Sequence, residues 1–242
     1  MMDLITTTET LKSKLSELRF SAPVVHVYDP LDYAWNNYKT YLERFGVPPR
    51  EVVLIGMNPG PWGMVQTGVP FGDPRIVRDW MGFCGEVRGP LLQHPKRPIL
   101  GFQCLRGEIS GQRLWSWARE TYTTAEAFFS RFFVLNYCPL CFLEESGRNR
   151  TPDKLSRSEQ EPLFAACDRA LADAVAHLTP RWVIGIGRFA AERARRALPG
   201  IEVGAIPHPS PANPAANTGW DQLMNQALAA FGVETDTTSE SD

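Results

Sequence analysis

The chain has 242 residues, 43% hydrophobic and 21% charged, with 25 Lys and Arg against 27 Asp and Glu for a net charge of −2. These proportions describe a folded globular protein and exclude a disordered or fibrous one. No run approaches the roughly 18 consecutive apolar residues of a membrane-spanning helix, so no membrane partner is expected.

The opening segment, MMDLITTTETLKSKLSEL, has neither the apolar core nor the small-residue cleavage site of a signal peptide. A cytoplasmic protein is therefore expected (bacterial cytoplasm, or the nucleus in a eukaryote). Within that segment TTETLKSKLSEL predicts an amphipathic helix with a threonine cap and Leu11, Leu15 and Leu18 on one face. DPLDYAWNNYKTYLERFG predicts a second helix, ending at Gly46. EVVLIG then reads as a buried strand. It runs into MNPGPWGMVQTGVPFG, residues 57–72, a loop dense in Gly and Pro with no side chain that ionises near neutral pH. PRIVRDWMGFCG and SGQRLWSWARETY predict helices, the second capped by Ser110. RFFVLNYCPL is a second strand-like run, and SEQEPLFAACDRALADAVAHL a long helix capped by Ser158. RWVIGIG, RFAAERARRAL and EVGAIPH follow as strand, helix and strand, and GWDQLMNQALAAFG closes the fold as a helix. The last nine residues, ETDTTSESD, carry four of the acidic groups and read as a disordered tail, 234–242. Without them the body, a single domain over 1–233, is slightly positive, with 25 basic against 23 acidic residues.

Short apolar strands alternating with helices predict an α/β fold, a three-layer α-β-α sandwich around a mostly parallel four-stranded sheet. In such folds the chemistry sits at the carboxyl ends of the strands, here 56–58, 135–138, 185–187 and 207–210.

Several motifs carry a bland reading beside a functional one. CPLC, Cys138 to Cys141, has the spacing of a redox or metal site. Yet it ends a strand and no second pair matches it, so buried thiols are favoured over an iron–sulfur cluster. The odd total of five cysteines argues against a disulfide framework. GIGRFA, Gly185 to Ala190, fits a dinucleotide fingerprint but lacks the acid at the end of the next strand, so tight strand-to-helix packing is favoured. The basic clusters HPKR (94–97), RNR (148–150) and RFAAERARR (188–196) fit a phosphate-binding face, with a solvated helix face expected for Arg193 and Arg196. No metal cluster is apparent among the scattered histidines.

Asn58, Asn136 and His208 are then the groups with chemical potential at strand ends. Asparagines donate and accept hydrogen bonds but take no proton at neutral pH. Such a site can orient a water, read a planar polar ligand and stabilise developing negative charge. It suits a reaction in which the leaving group departs first, as in cleavage of a glycosidic bond. Asn can also read a base edge, with Phe71 or Trp62 stacking on the ring. The alternative is that both asparagines only tie loops down.

Three segments narrow the choice. GMNPGPWGMVQTGVPFG, NYCPLCFLEESGRNRTP and HPSPANPAANTGW closely resemble the single-strand-selective monofunctional uracil-DNA glycosylases, in the same order and with similar spacing. The likeness also takes in YAW, HPKRP and GRFAAERARRAL. It implies the uracil-DNA glycosylase fold and a monomeric, cofactor-free, metal-free enzyme of base excision repair. Its partner would be DNA containing uracil or a modified uracil. By motif position, Asn58 would hold the hydrolytic water and His208 would bond uracil O2. Asn136 would read N3 and O4, and Phe71 would stack on the ring. Met57, Gly60 and Met64 would line the substrate, the last two on its C5 side. Ser210, Pro211, Ala212, Asn213 and Arg148 would contact DNA. Ala212 departs from the family, which typically places a wedging arginine there. Lysine, the usual Schiff-base former of backbone-cutting glycosylases, does not occur after Lys154. Two alternatives stand beside this reading: a glycosylase for other deaminated bases such as hypoxanthine or xanthine, and a non-catalytic single-strand-binding module.

Overall fold

A computed structural model describes residues 2–235, so all but the first two residues of the expected acidic tail lie outside the described residues. The chain opens with α1 (Leu4–Ser16), β1 (Val24–Tyr28), α2 (Pro30–Tyr33), α3 (Trp35–Phe45) and β2 (Val52–Gly56). Next come α4 (Met64–Thr67), α5 (Pro74–Asp79), α6 (Ile109–Tyr122), α7 (Ala125–Arg131) and β3 (Phe132–Asn136). It continues through β4 (Cys141–Glu144), β5 (Asn149–Arg150), α8 (Arg157–Leu178), β6 (Trp182–Ile186), α9 (Arg188–Ala197), β7 (Val203–Ile206) and α10 (Trp220–Ala230).

The expected four-stranded sheet is present and wholly parallel, in the order β3-β2-β6-β7. Strand β2 is buried along its full length, as a central strand covered on both faces must be. Register decides where the chemistry goes. Gly56 pairs with Asn136, Ile55 with Gly185, and Ile186 with Ile206, so the segments after all four strands emerge at one edge. Right-handed crossovers that run in opposite directions along a sheet lie on opposite faces. That puts α4 to α7 on one face and α8 and α9 on the other, and α10 packs against α6 while α1 packs against α8.

A second, antiparallel sheet, β1-β4-β5, escaped the sequence reading. Its strands are two to five residues long, and β1, VVHVY, leaves Val25 and Val27 exposed rather than packed in the core.

Helix starts moved where tertiary geometry chose a different cap. Asp3, not a threonine, caps α1, accepting from Thr6 N at 2.7 Å, while Thr8 turns inward to donate to Leu4 O. Ser156, not Ser158, caps α8, with the Glu159 carboxylate accepting the Ser156 backbone N–H at 2.9 Å in a capping box. Ser110 is buried inside α6, and the cap position belongs to Glu108. The second predicted helix is two, broken at Ala34.

Arg193 corrects another expectation. Its side chain is only 11% exposed and pairs with Asp168, and its Nε donates to the Tyr137 hydroxyl at 3.0 Å. Arg196 is exposed as expected.

Candidate active site

Strand β2 ends at Gly56, and only glycine fits. A Cβ there would stand 2.5 Å from both Asn136 Oδ1 and the Phe71 ring. The missing side chain lets those two groups close over the strand end. Phe71 itself has φ 56°, a left-handed conformation that a bulky residue rarely adopts. It is over-determined from α6 and its own loop. Its carbonyl accepts from Trp115 Nε1 at 3.1 Å and from Asp73 N at 2.9 Å, and Gly111 brings α6 close enough that a Cβ would be 2.0 Å from that oxygen. Strain held this firmly is characteristic of functional positions.

Backbone bonds from Tyr137 N to Gly56 O and from Cys138 N to Met57 O, both 2.9 Å, clamp the segment after β3 to the one after β2. Leu140 O then accepts Asn58 Nδ2 at 3.1 Å, which leaves Oδ1 as the acceptor that Asn58 can present. CPLC thus positions Asn58 through its backbone. Its two thiols belong to separate clusters, Cys138 in the main core and Cys141 in the one around the small sheet, and burial pushes the Cys141 thiol far up. All five cysteines are free thiols. Among the described residues no trio of His, Cys, Asp or Glu is arranged to hold a metal.

His208 follows β7. Its Nδ1 accepts the Ser210 backbone N–H at 3.1 Å, and burial lowers its pKa to about 4. A neutral ring whose Nδ1 accepts must carry its proton on Nε2, so His208 is a donor there. Gly187, at φ 87°, lets the imidazole approach, since a Cβ would lie 3.2 Å from His208 Cβ. Gly185 would clash with α9, a Cβ lying 2.2 Å from Ala191 N. Close packing accounts for both glycines of GIGRFA.

These pieces enclose a cavity of about 320 Å³, within the usual range for small-ligand sites. Met57, Asn58, Gly60, Phe71, Asn136, His208 and Ser210 line it together. Met64 sits behind, its sulfur accepting Asn136 Nδ2 at 3.2 Å. Pro211 and Ala212 are exposed beside it, and Asn213 folds back to donate to His208 O at 3.0 Å. Arg148 is exposed in the turn between β4 and β5. Trp62 faces away, under two arginines.

Four cavity residues were missed: Pro59, Glu108, Asn149 and Thr151. Asn149 Nδ2 ties the loop down by donating to Pro59 O at 3.0 Å. Glu108 is the larger surprise, because the 57–72 loop has no acid and this one is delivered from 36 residues beyond it. Gly60 and Gly63 make the room, a Cβ on either lying 2.5 Å from Oε1 or 1.4 Å from Oε2. Oε2 is buried without a hydrogen-bond partner. Burial, reinforced by the nearby Asp73 carboxylate, pushes the Glu108 pKa from 4.5 up to about 7. The only sequence signal was an acid just before a helix start.

The linkage has a definite sign. The native state holds the Glu108 proton over a range in which the unfolded chain releases it, so its contribution to stability falls as pH rises from 4.5 to about 7. Glu108→Gln removes that loss. Its stability relative to wild type should climb by roughly 3 kcal/mol across this window. Urea denaturation at several pH values measures it, and parallel curves for the two proteins would refute it.

The chain matches the sequence model of the Uracil DNA glycosylase superfamily over residues 44–231. It is 46% identical over 227 residues to the single-strand selective monofunctional uracil-DNA glycosylase of Rattus norvegicus, covering 92% of this chain and 82% of that one. The enzymes of the same name from Mus musculus and Bos taurus are equally similar, covered to 81% and 84%. The chain belongs to the single-strand-selective monofunctional uracil-DNA glycosylase family. Among solved structures, Pedobacter heparinus SMUG2 superposes with a TM-score of 0.66 at 15% identity, covering 93% of this chain and 97% of that one. At that identity the likeness speaks for the glycosylase fold alone.

Proposed function

We propose that this glycosylase, a single monomeric domain over 1–233, hydrolyses the N-glycosidic bond of uracil in DNA, single- or double-stranded, without cutting the backbone. One observation carries the reading. A neutral imidazole with its proton on Nε2, an amide oxygen and a base-sized cavity walled by Phe71 and Asn136 meet at one sheet edge. The target base swings out of the strand and stacks on Phe71. The C1′–N1 bond breaks with its electron pair leaving on uracil, whose O2 is stabilised by the His208 Nε2–H. Asn58 Oδ1 accepts from a water and aims it at the cationic sugar carbon, and the water's proton passes to solvent. No strong base is needed, because the sugar cation is electrophilic enough for water.

Asn136 supplies base discrimination. Its Nδ2 is held by Met64, so the amide cannot turn freely to suit cytosine, whose amino group would meet a donor. A polar pair left unmatched in such a pocket costs about 1–3 kcal/mol. Uracils with small polar C5 groups, 5-hydroxymethyluracil among them, fit on the Gly60 side, where the Glu108 carboxyl gives the C5 substituent a polar neighbour.

The test is an end-labelled oligonucleotide carrying one uracil, with and without alkali. Cleavage only after alkali is the expected result, and cleavage without it would show lyase activity. Ala212 bears on strand preference. Exposed beside the cavity, it cannot fill the gap a departing base leaves in a duplex. Ala212→Arg should raise the rate on duplex uracil severalfold and leave single strands unchanged, and equal duplex rates would refute the wedge argument.

A further inference from the structure

The cations of two basic clusters, HPKR and RNR, do not line the cavity, yet the fold brings the clusters together. Gly147 is packed so closely that a Cβ would lie 3.3 Å from Lys96 Cβ and 3.6 Å from Arg97 Cζ. The turn bearing Arg148 therefore rests on the 94–97 loop. That loop is built rather than loose. Tyr28, 1% exposed, donates its hydroxyl to Arg97 O at 2.8 Å and accepts His94 N at 2.7 Å. His94 is buried, with Nδ1 accepting Lys96 N and Nε2 donating to Glu145 O, both at 3.1 Å.

The loop presents its cations to an aromatic ring. The Arg97 and Arg106 guanidiniums lie 5.2 and 4.7 Å from the centroid of Trp62. Together with Lys96, and with Leu105 82% exposed, they line an open groove of about 620 Å³ whose walls carry no carboxylate. None of the three cations has a carboxylate partner among the described residues, and Arg97 Nε is buried without a hydrogen-bond partner. The groove shares a wall with the cavity, since loop 57–63 contributes Asn58, Pro59 and Gly60 to one and Trp62 to the other.

We propose that this groove binds the nucleotide flanking the target in a single strand, its base against the plane formed by Trp62 and the arginines and its phosphate on Lys96 and Arg106. The proposal rests on the DNA-glycosylase reading. The charge asks for a polyanion, and the aromatic–guanidinium surface asks for a planar ring. A base paired in a duplex has both faces already stacked, so the groove rewards an unpaired strand only. It gives this chain a source of strand preference separate from the wedge position.

The experiment is fluorescence anisotropy with a uracil-free single strand and its duplex over a salt series, followed by KM and kcat on uracil-containing versions. Lys96→Ala/Arg106→Ala should weaken single-strand binding about tenfold and flatten the salt slope by about 0.7 for each phosphate no longer neutralised. Duplex KM and kcat should not change. Arg106→Lys should keep the slope but bind the single strand more weakly, because it retains charge without the plane. Equal losses on both substrates, or none, would overturn the proposal. Arg106→Lys indistinguishable from wild type would overturn the stacking half. Uracil-free binding is read without catalysis, so failure of uracil release sinks the glycosylase reading and leaves this test standing.

Discussion

Replacing His208 with alanine lowers the rate of uracil release by roughly 100- to 1,000-fold with little change in DNA affinity. That is the usual cost of removing one preorganised donor from a developing anion. The donor is available because Ser210 N occupies Nδ1 and burial keeps the ring neutral down to about pH 4. The rate should therefore show no acid limb near 6.5, where an exposed histidine would titrate. Single-turnover kinetics across pH checks both statements, and a loss under tenfold would remove His208 from the mechanism. Asn58→Ala should cost a similar factor, since its Oδ1 is the proposed acceptor for the water. In stability the two buried groups oppose one another. His208 binds fewer protons folded than unfolded, so its contribution rises with pH from about 4 to 6.5, while that of Glu108 falls from 4.5 to about 7. Asp29, whose pKa burial raises from 3.8 to about 6, adds a second falling contribution, so wild-type stability is expected to decline with pH, less steeply in Glu108→Gln and more steeply in His208→Ala.

Asp168→Ala should destabilise the protein by roughly 3 kcal/mol, because it strands Arg193 in a site where a guanidinium needs its partner. Arg193 is 11% exposed, with Phe164 and Tyr137 rings 4.3 and 5.3 Å from its Cζ. Tyr137 donates its hydroxyl to Asp168 Oδ1 at 2.7 Å. Tyr137 immediately follows Asn136, so the network also holds the end of β3 in place. Denaturation midpoints measure the first effect, and a raised KM for uracil DNA the second. Asp168→Asn should fall between, keeping a hydrogen bond but not the charge. A midpoint unchanged in Asp168→Ala would show that Arg193 finds water instead.

Much of the cavity-bearing edge of the sheet was legible in the sequence. The apolar runs VVLIG, FFVLN, WVIGI and VGAI form β2, β3, β6 and β7, and the residues singled out at their ends, Asn58, Asn136 and His208, converge on one cavity. The cause is local. A strand buried on both faces must be apolar throughout, and a parallel register sends every carboxyl end to the same side. The Gly/Pro loops were readable for a similar reason, since few sequences satisfy a backbone so tightly prescribed.

What stayed hidden depended on partners distant in the chain. Glu108 is an ordinary surface acid by sequence, and it becomes a buried one because Gly60 and Gly63 leave space for it. Arg193 lies in a run of arginines that looks solvated, until α8 brings Asp168 to it. HPKR and RNR are separate basic runs that meet only because the small sheet folds the 147 turn onto the 94–97 loop. The sequence by itself determined the central strands, the loops and the residues at their ends, because backbone propensity and apolar pattern act over a few neighbours. The tertiary structure alone decided which charges are buried and which are shared, because desolvation is set by whatever packs around a group, however far away it is in the chain.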